Sequence, residues 1–89
     1  MVLVKRLVLD VLKPHQPNAL EFSQAIAKAG GNYRVCVTVL EVDENTETLQ
    51  VIVEGDAIDF DSLQSAISNL SGSLHSIDEV EVKSEPQAG

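Results

Sequence analysis

From Val2 to Leu12 the chain is almost unbroken β-branched and aliphatic residue, interrupted only by Lys5, Arg6 and Asp10. Leu7, Leu9 and Val11 share one face, with Arg6, Val8 and Asp10 on the other, which predicts a central strand. Pro14 and Pro17 end it, since neither can donate to a ladder. Asn18 and Glu21 then have capping-box spacing, predicting a helix from Asn18 to Ala29 with Phe22, Ala25, Ile26 and Ala29 as its apolar stripe and Gly30-Gly31 as its stop. A second strand follows from Tyr33 to Val42. Val35, Val37 and Val39 line one of its faces, and Cys36, Thr38, Leu40 and Val42 the other. Asp43 to Glu47 reads as a turn and Leu49 to Val53 as the returning strand of a hairpin.

Gly55 breaks that strand. Asp59 is the expected N-cap of a second helix, in which Phe60, Leu63, Ile67 and Leu70 recur at helical spacing before Gly72 closes it. Leu74 to Val82 reads as the last strand. Its apolar positions change phase between Ile77 and Val80, which predicts a bulge. Residues 84–89 are expected to form a disordered tail, leaving residues 1–83 as a single domain.

The order β-α-β-β-α-β points to an α+β class, the ferredoxin-like sandwich. It predicts an antiparallel sheet in the order 4-1-3-2 with both helices on one face. The other face, carrying Val8, Cys36, Thr38, Leu40, Val42 and Ile52, is then uncovered. Such a patch, together with two edge strands, predicts a homo-oligomer.

Charge and composition narrow the function. The net charge of −8, with six Lys and Arg dispersed along the chain, argues against a nucleic-acid partner and suits a cation or a basic protein instead. No apolar run reaches membrane-span length, so no membrane association is expected and the cytoplasm is the expected compartment. The single cysteine, Cys36, excludes an internal disulfide.

Two strings stand out: Arg6-Leu-Val-Leu-Asp-Val-Leu-Lys-Pro-His15 and Leu74-His-Ser-Ile-Asp-Glu-Val80, with Glu41-Val-Asp43 between them. Together they resemble an archaeal family known only as domain of unknown function two-eleven, over nearly the whole chain. The resemblance implies a ferredoxin-like fold, ring-like homo-oligomers and no assigned activity. Where that family often carries Gly-Val-Glu-Gly-Val before the second strand, this chain has Gly31-Asn32-Tyr33-Arg34-Val35.

In the antiparallel arrangement the first strand ends where the fourth begins. Asp10, Lys13, His15, His75 and Asp78 are therefore expected to gather along one edge as a ligand-binding set, near Asp43, Glu44 and Glu47. For a divalent cation (calcium, magnesium or zinc) the expected metal ligands are Asp10, His15 and His75. The structural alternatives are a helix-capping or solvated His15, a hydrogen-bonded strand His75 and an Asp10 paired with Arg6. A second acidic group, Glu54, Asp56, Asp59 and Asp61, lies at the opposite edge, where Asp59 and Asp61 suit the positive end of a helix.

Catalysis is not expected. Cys36 lies mid-strand, Ser76 and His75 are neighbours on opposite faces, and Gly30-Gly31 and Gly72 are helix stops rather than phosphate loops. Two classes of function remain. One is a homo-oligomeric binding or regulatory module for a cation or small ligand. The other is a structural or scaffold subunit whose acidic surface docks a basic protein.

Overall fold

The computed structural model describes residues 1–86 and has six elements: β1 (Val2–Pro14), α1 (Ala19–Ala27), β2 (Arg34–Val42), β3 (Thr46–Glu54), α2 (Phe60–Asn69) and β4 (Ser73–Ser84). The sheet order is β2-β3-β1-β4 with every neighbouring pair antiparallel, the ferredoxin-like arrangement that the element order predicts. Among the described residues no helix is long and apolar enough to cross a membrane.

The core lies between the sheet and the helices. Leu7, Leu9 and Val11 of β1 and Leu49, Val51 and Val53 of β3 are buried against Phe22, Ile26, Leu63 and Ile67. Each such side chain contributes roughly 1.5–3 kcal/mol on burial. Val35 and Val37 are only partly buried and Val39 is exposed, because β2 is an edge strand.

Both helix starts are capped as their sequences require. Asn18 Oδ1 accepts from Glu21 N–H at 2.9 Å, and Asp59 Oδ1 accepts from Asp61 N–H and Ser62 N–H. The end of α2 differs from expectation. Ser71, not Gly72, takes the left-handed conformation, with φ of 66°. The backbone N–H of Gly72 donates to Ile67 O and that of Ser71 to Ser68 O, closing a Schellman turn. Gly72 is required for space instead: a Cβ there would lie 2.8 Å from Ile67 Cγ2 and 3.0 Å from Ile67 O.

Four residues interrupt the ladders. Lys5 of β1 stands between Val4, paired with Val82, and Arg6, paired with Glu81. Asp78 stands between Ile77 and Glu79, and His75 between Leu74 and Ser76, each without a partner on β1. Leu40 stands between Val39, opposite Leu49, and Glu41, opposite Thr48. The phase change in β4 is thus a bulge at Asp78. The bulge at Leu40 overturns one expectation: Val42 pairs with Glu47 and returns to the helix side of the sheet, not to the uncovered face.

Nor is the uncovered face the apolar surface that alternation suggested. Val8 is buried between its strand neighbours, Ile52 is half-buried, and Asp10, Gln50, Thr38 and Thr48 make the middle of the face polar. The last strand also runs beyond its expected end. Ser84 pairs with Val2, and the backbones of Met1 and Glu85 bond reciprocally at 2.8 Å, so the expected 84–89 tail begins too early; residues 87–89 lie outside the described residues.

Gly72→Ala is expected to destabilise the fold by about 1–3 kcal/mol through overpacking against Ile67. Ser71→Gly is expected to stabilise it by up to about 1 kcal/mol by relieving a left-handed non-glycine residue. Urea denaturation of the two variants checks both signs.

Candidate functional site

The residues expected along one edge divide between the two faces of the sheet. Lys13 continues the odd-numbered series Leu7, Leu9 and Val11 and lies on the helix side, whereas Asp10 lies on the open face. Three residues apart on a strand, they cannot share a face.

Lys13 is 1% exposed, yet its charge is fully partnered. Its Nζ pairs with Glu47 Oε1 at 2.9 Å and donates to Pro14 O at 3.0 Å and Pro17 O at 2.7 Å. An ammonium has three N–H groups, so none remains for a ligand. The other Glu47 oxygen meets His15: Nδ1 lies 3.1 Å from Oε2 and Nε2 lies 2.9 Å from Glu44 O. Both partner atoms only accept, so both ring nitrogens donate when the two bonds form together, and the ring is then the imidazolium. The hydrogen bond to Glu47, and then that to Glu44, hold its pKa above the ordinary imidazole value. The Lys13 and His15 hydrogen bonds hold the Glu47 carboxyl below its ordinary range. A ring with both nitrogens donating has no lone pair for a metal. Lys13, Glu47 and His15 together form a clasp from the end of β1 to the β2–β3 turn.

On the open face Asp10 lies between Gln50 of β3 and Ser76 of β4. Its Oδ1 is buried and has no hydrogen-bond partner. It lines a cavity of about 130 Å³ together with Asp78, Leu40, Thr48 and Gln50. Leu40 and Asp78 are the bulge residues of the two edge strands, and both reach the cavity on the open face. Ser76 Oγ donates to Asp78 Oδ1 at 2.6 Å. Arg6, the alternative partner for Asp10, is engaged with Glu54 and Glu79 instead.

His75 is exposed on its own bulge and lines neither the cavity nor the clasp. Of the five expected ligand residues, the structure therefore brings together Asp10 with Asp78, and separately Lys13 with His15. Among the described residues no group of three or more His, Cys, Asp or Glu could hold a metal ion. Thr48 and Gln50, which complete the cavity, were overlooked on sequence although they share the Ile52 face by alternation. At the opposite edge Asp59 is spent on its helix cap, and its hydrogen bonds from Ser62 hold its pKa low.

The clasp should make stability depend on pH in both directions. The Glu47 contribution is present above its unfolded value near 4.5 and is lost as pH falls through the lower folded value. The His15 contribution is complete below its unfolded value near 6.5 and is lost as pH rises through the higher folded value. Urea midpoints against pH should show both limbs in the native protein and only the acid limb in His15→Asn. Lys13→Ala should cost about 3 kcal/mol, because Glu47 loses its buried partner.

Comparison with known proteins bears on this chain as a whole. Residues 5–85 match the model of the DUF211 family, described as Uncharacterized ArCR. An uncharacterised protein of Methanocaldococcus jannaschii is 42% identical over 77 residues, covering 86% of this chain and 79% of that protein.

Proposed function

Because the chain belongs to the DUF211 family, which is described only as uncharacterised, we propose from its own residues that it is a non-enzymatic, self-assembling binding module whose open sheet face takes a divalent cation. The observation that carries this reading is Asp10 Oδ1, a buried carboxylate oxygen without a partner, in a cavity shared with a second carboxylate. Leaving a charged acceptor desolvated and unpaired costs free energy that a bound cation would recover. The available donors are all oxygens: Asp10, Asp78, the Gln50 amide and the Thr48 hydroxyl. Oxygen donors with room for retained water favour calcium or magnesium over zinc, which prefers nitrogen and sulfur. The cavity has space for about four waters, at about 30 Å³ each.

Self-assembly is supported by a surface other than the open face. Ile77, Val80 and Val82 of β4 lie on the helix side, where they pair in register with Leu9, Leu7 and Val4. The helices leave them bare: Val80 is 53% and Val82 54% exposed, with Val2 beside them at 65%. Covering this stripe with a second copy would remove a contiguous apolar surface from water.

Calorimetric titration is expected to show binding of calcium or magnesium, and the bound cation is expected to raise the melting temperature by mass action. Asp10→Asn should abolish that rise while making the cation-free protein more stable, since a neutral amide is cheaper to bury. Silence for calcium and magnesium at millimolar concentration would overturn the cation reading.

Replacing Val80 and Val82 together with Lys is expected to produce smaller species in sedimentation velocity. A native protein that stays monomeric at high concentration would remove the assembly half of the proposal.

A further inference from the structure

The far end of the open sheet face, away from Asp10, carries its charges in a row. Arg34, Glu54, Arg6 and Glu81 lie side by side across all four strands and alternate in sign. Arg34, Glu54 and Glu81 of that row line an open cleft of about 600 Å³, within the usual range for small-molecule sites, and beyond the row Asn32, Asp56, Lys5 and Lys83 add further polar lining. Lys5 reaches the cleft because it is a bulge residue; in an unbroken strand it would point to the face opposite Arg6. Three of the six Lys and Arg in a chain of net charge −8 thus line one cleft.

Most of these charges are spent within the protein. Arg6 pairs with Glu79 at 3.0 Å and with Glu54 at 3.2 Å. Lys5 donates to Asp56 O at 2.7 Å and pairs with Glu85 at 3.3 Å, and Asn32 donates to Asp56 Oδ2 at 2.7 Å. Arg34 and Glu81 are different. Among the described residues neither side chain makes an ion pair or a hydrogen bond, and both line the cleft. They stand on the two edge strands, three strand spacings or about 14 Å apart at Cα. The Arg6–Glu54 pair stands between them.

We propose that this cleft binds a small zwitterion, its carboxylate on the Arg34 guanidinium and its ammonium on Glu81. A simple anion would also meet Glu54, Asp56 and Glu81, and a simple cation would meet Lys5, Arg34 and Lys83. A ligand carrying both signs matches both ends. The guanidinium fork suits a carboxylate bidentately, and a ligand with its two charges at opposite ends can reach toward both edge strands. Apart from Gly55 and Val82, whose side chain lies on the helix side, the lining is charged or polar, so the body of the ligand is short or polar.

The test is a titration of the isotope-labelled native protein, followed by amide chemical shifts, with glycine, β-alanine and γ-aminobutyrate as probes. Acetate and methylammonium serve as single-charge controls. At least one zwitterion should give saturable shifts at Arg34 and Glu81 and bind more tightly than either control. Arg34→Gln and Glu81→Gln should each weaken it about fivefold, the scale of one exposed charge pair, while Lys28→Gln leaves it unchanged. Both cleft variants alter exposed or partly exposed strand positions, and their own spectra report whether the fold is kept. Silence for all three zwitterions at millimolar concentration overturns the proposal, as does acetate binding equally well.

Discussion

Two helices of nine and ten residues have to cover one face of a sheet whose central strand has thirteen. At about 1.5 Å per helical residue and 3.3 Å per strand residue, helices some 15 Å long are laid on a strand of about 43 Å. Much of the structure follows from that mismatch. Where β1 leaves the helices at its C-terminal end, the next inward position is Lys13, and its ammonium is closed off by Glu47 and two carbonyls. At the other end, β4 and the start of β1 extend past the helices and leave Val2 and Val82 bare.

The bulges supply what a regular sheet could not. Uninterrupted alternation would turn Lys5 away from the far cleft. Each interruption leaves a ladder position unpaired and spends some backbone hydrogen bonding to re-aim one side chain. Three of the four lie on the edge strands β2 and β4, where they also make the edges irregular as templates for further pairing.

The fold was legible because the periodicity of β1, the two capping residues and the order of elements all agreed. The bulge at Asp78 was legible too, since Ile77 and Val80 lie on the same side of an odd spacing. The bulge at Leu40 was not: β2 is apolar on both faces there, so a shift of phase leaves no mark. His75 sits among polar residues and hides its bulge equally well. The candidate site suffered from a different error. Proximity along β1 placed Asp10 and Lys13 together, although an odd separation sends them to opposite faces and the Leu7, Leu9, Val11 series already pointed Lys13 inward. The clasp between Glu47 and His15 depends on how the β2–β3 turn folds back, which no local pattern encodes.

The clasp also tells two equally charged side chains apart. An ammonium directs its three N–H groups as the legs of a tripod, and at Lys13 those legs end on two carbonyls and one carboxylate oxygen from three separate residues. A guanidinium is planar and bulkier, with five donors fixed in one sheet of atoms. In the same enclosed place it would leave donors facing apolar neighbours and would crowd the Pro14–Pro17 loop. The position therefore selects by symmetry and size as well as by sign, and arginine there would be a shape error carrying the correct charge.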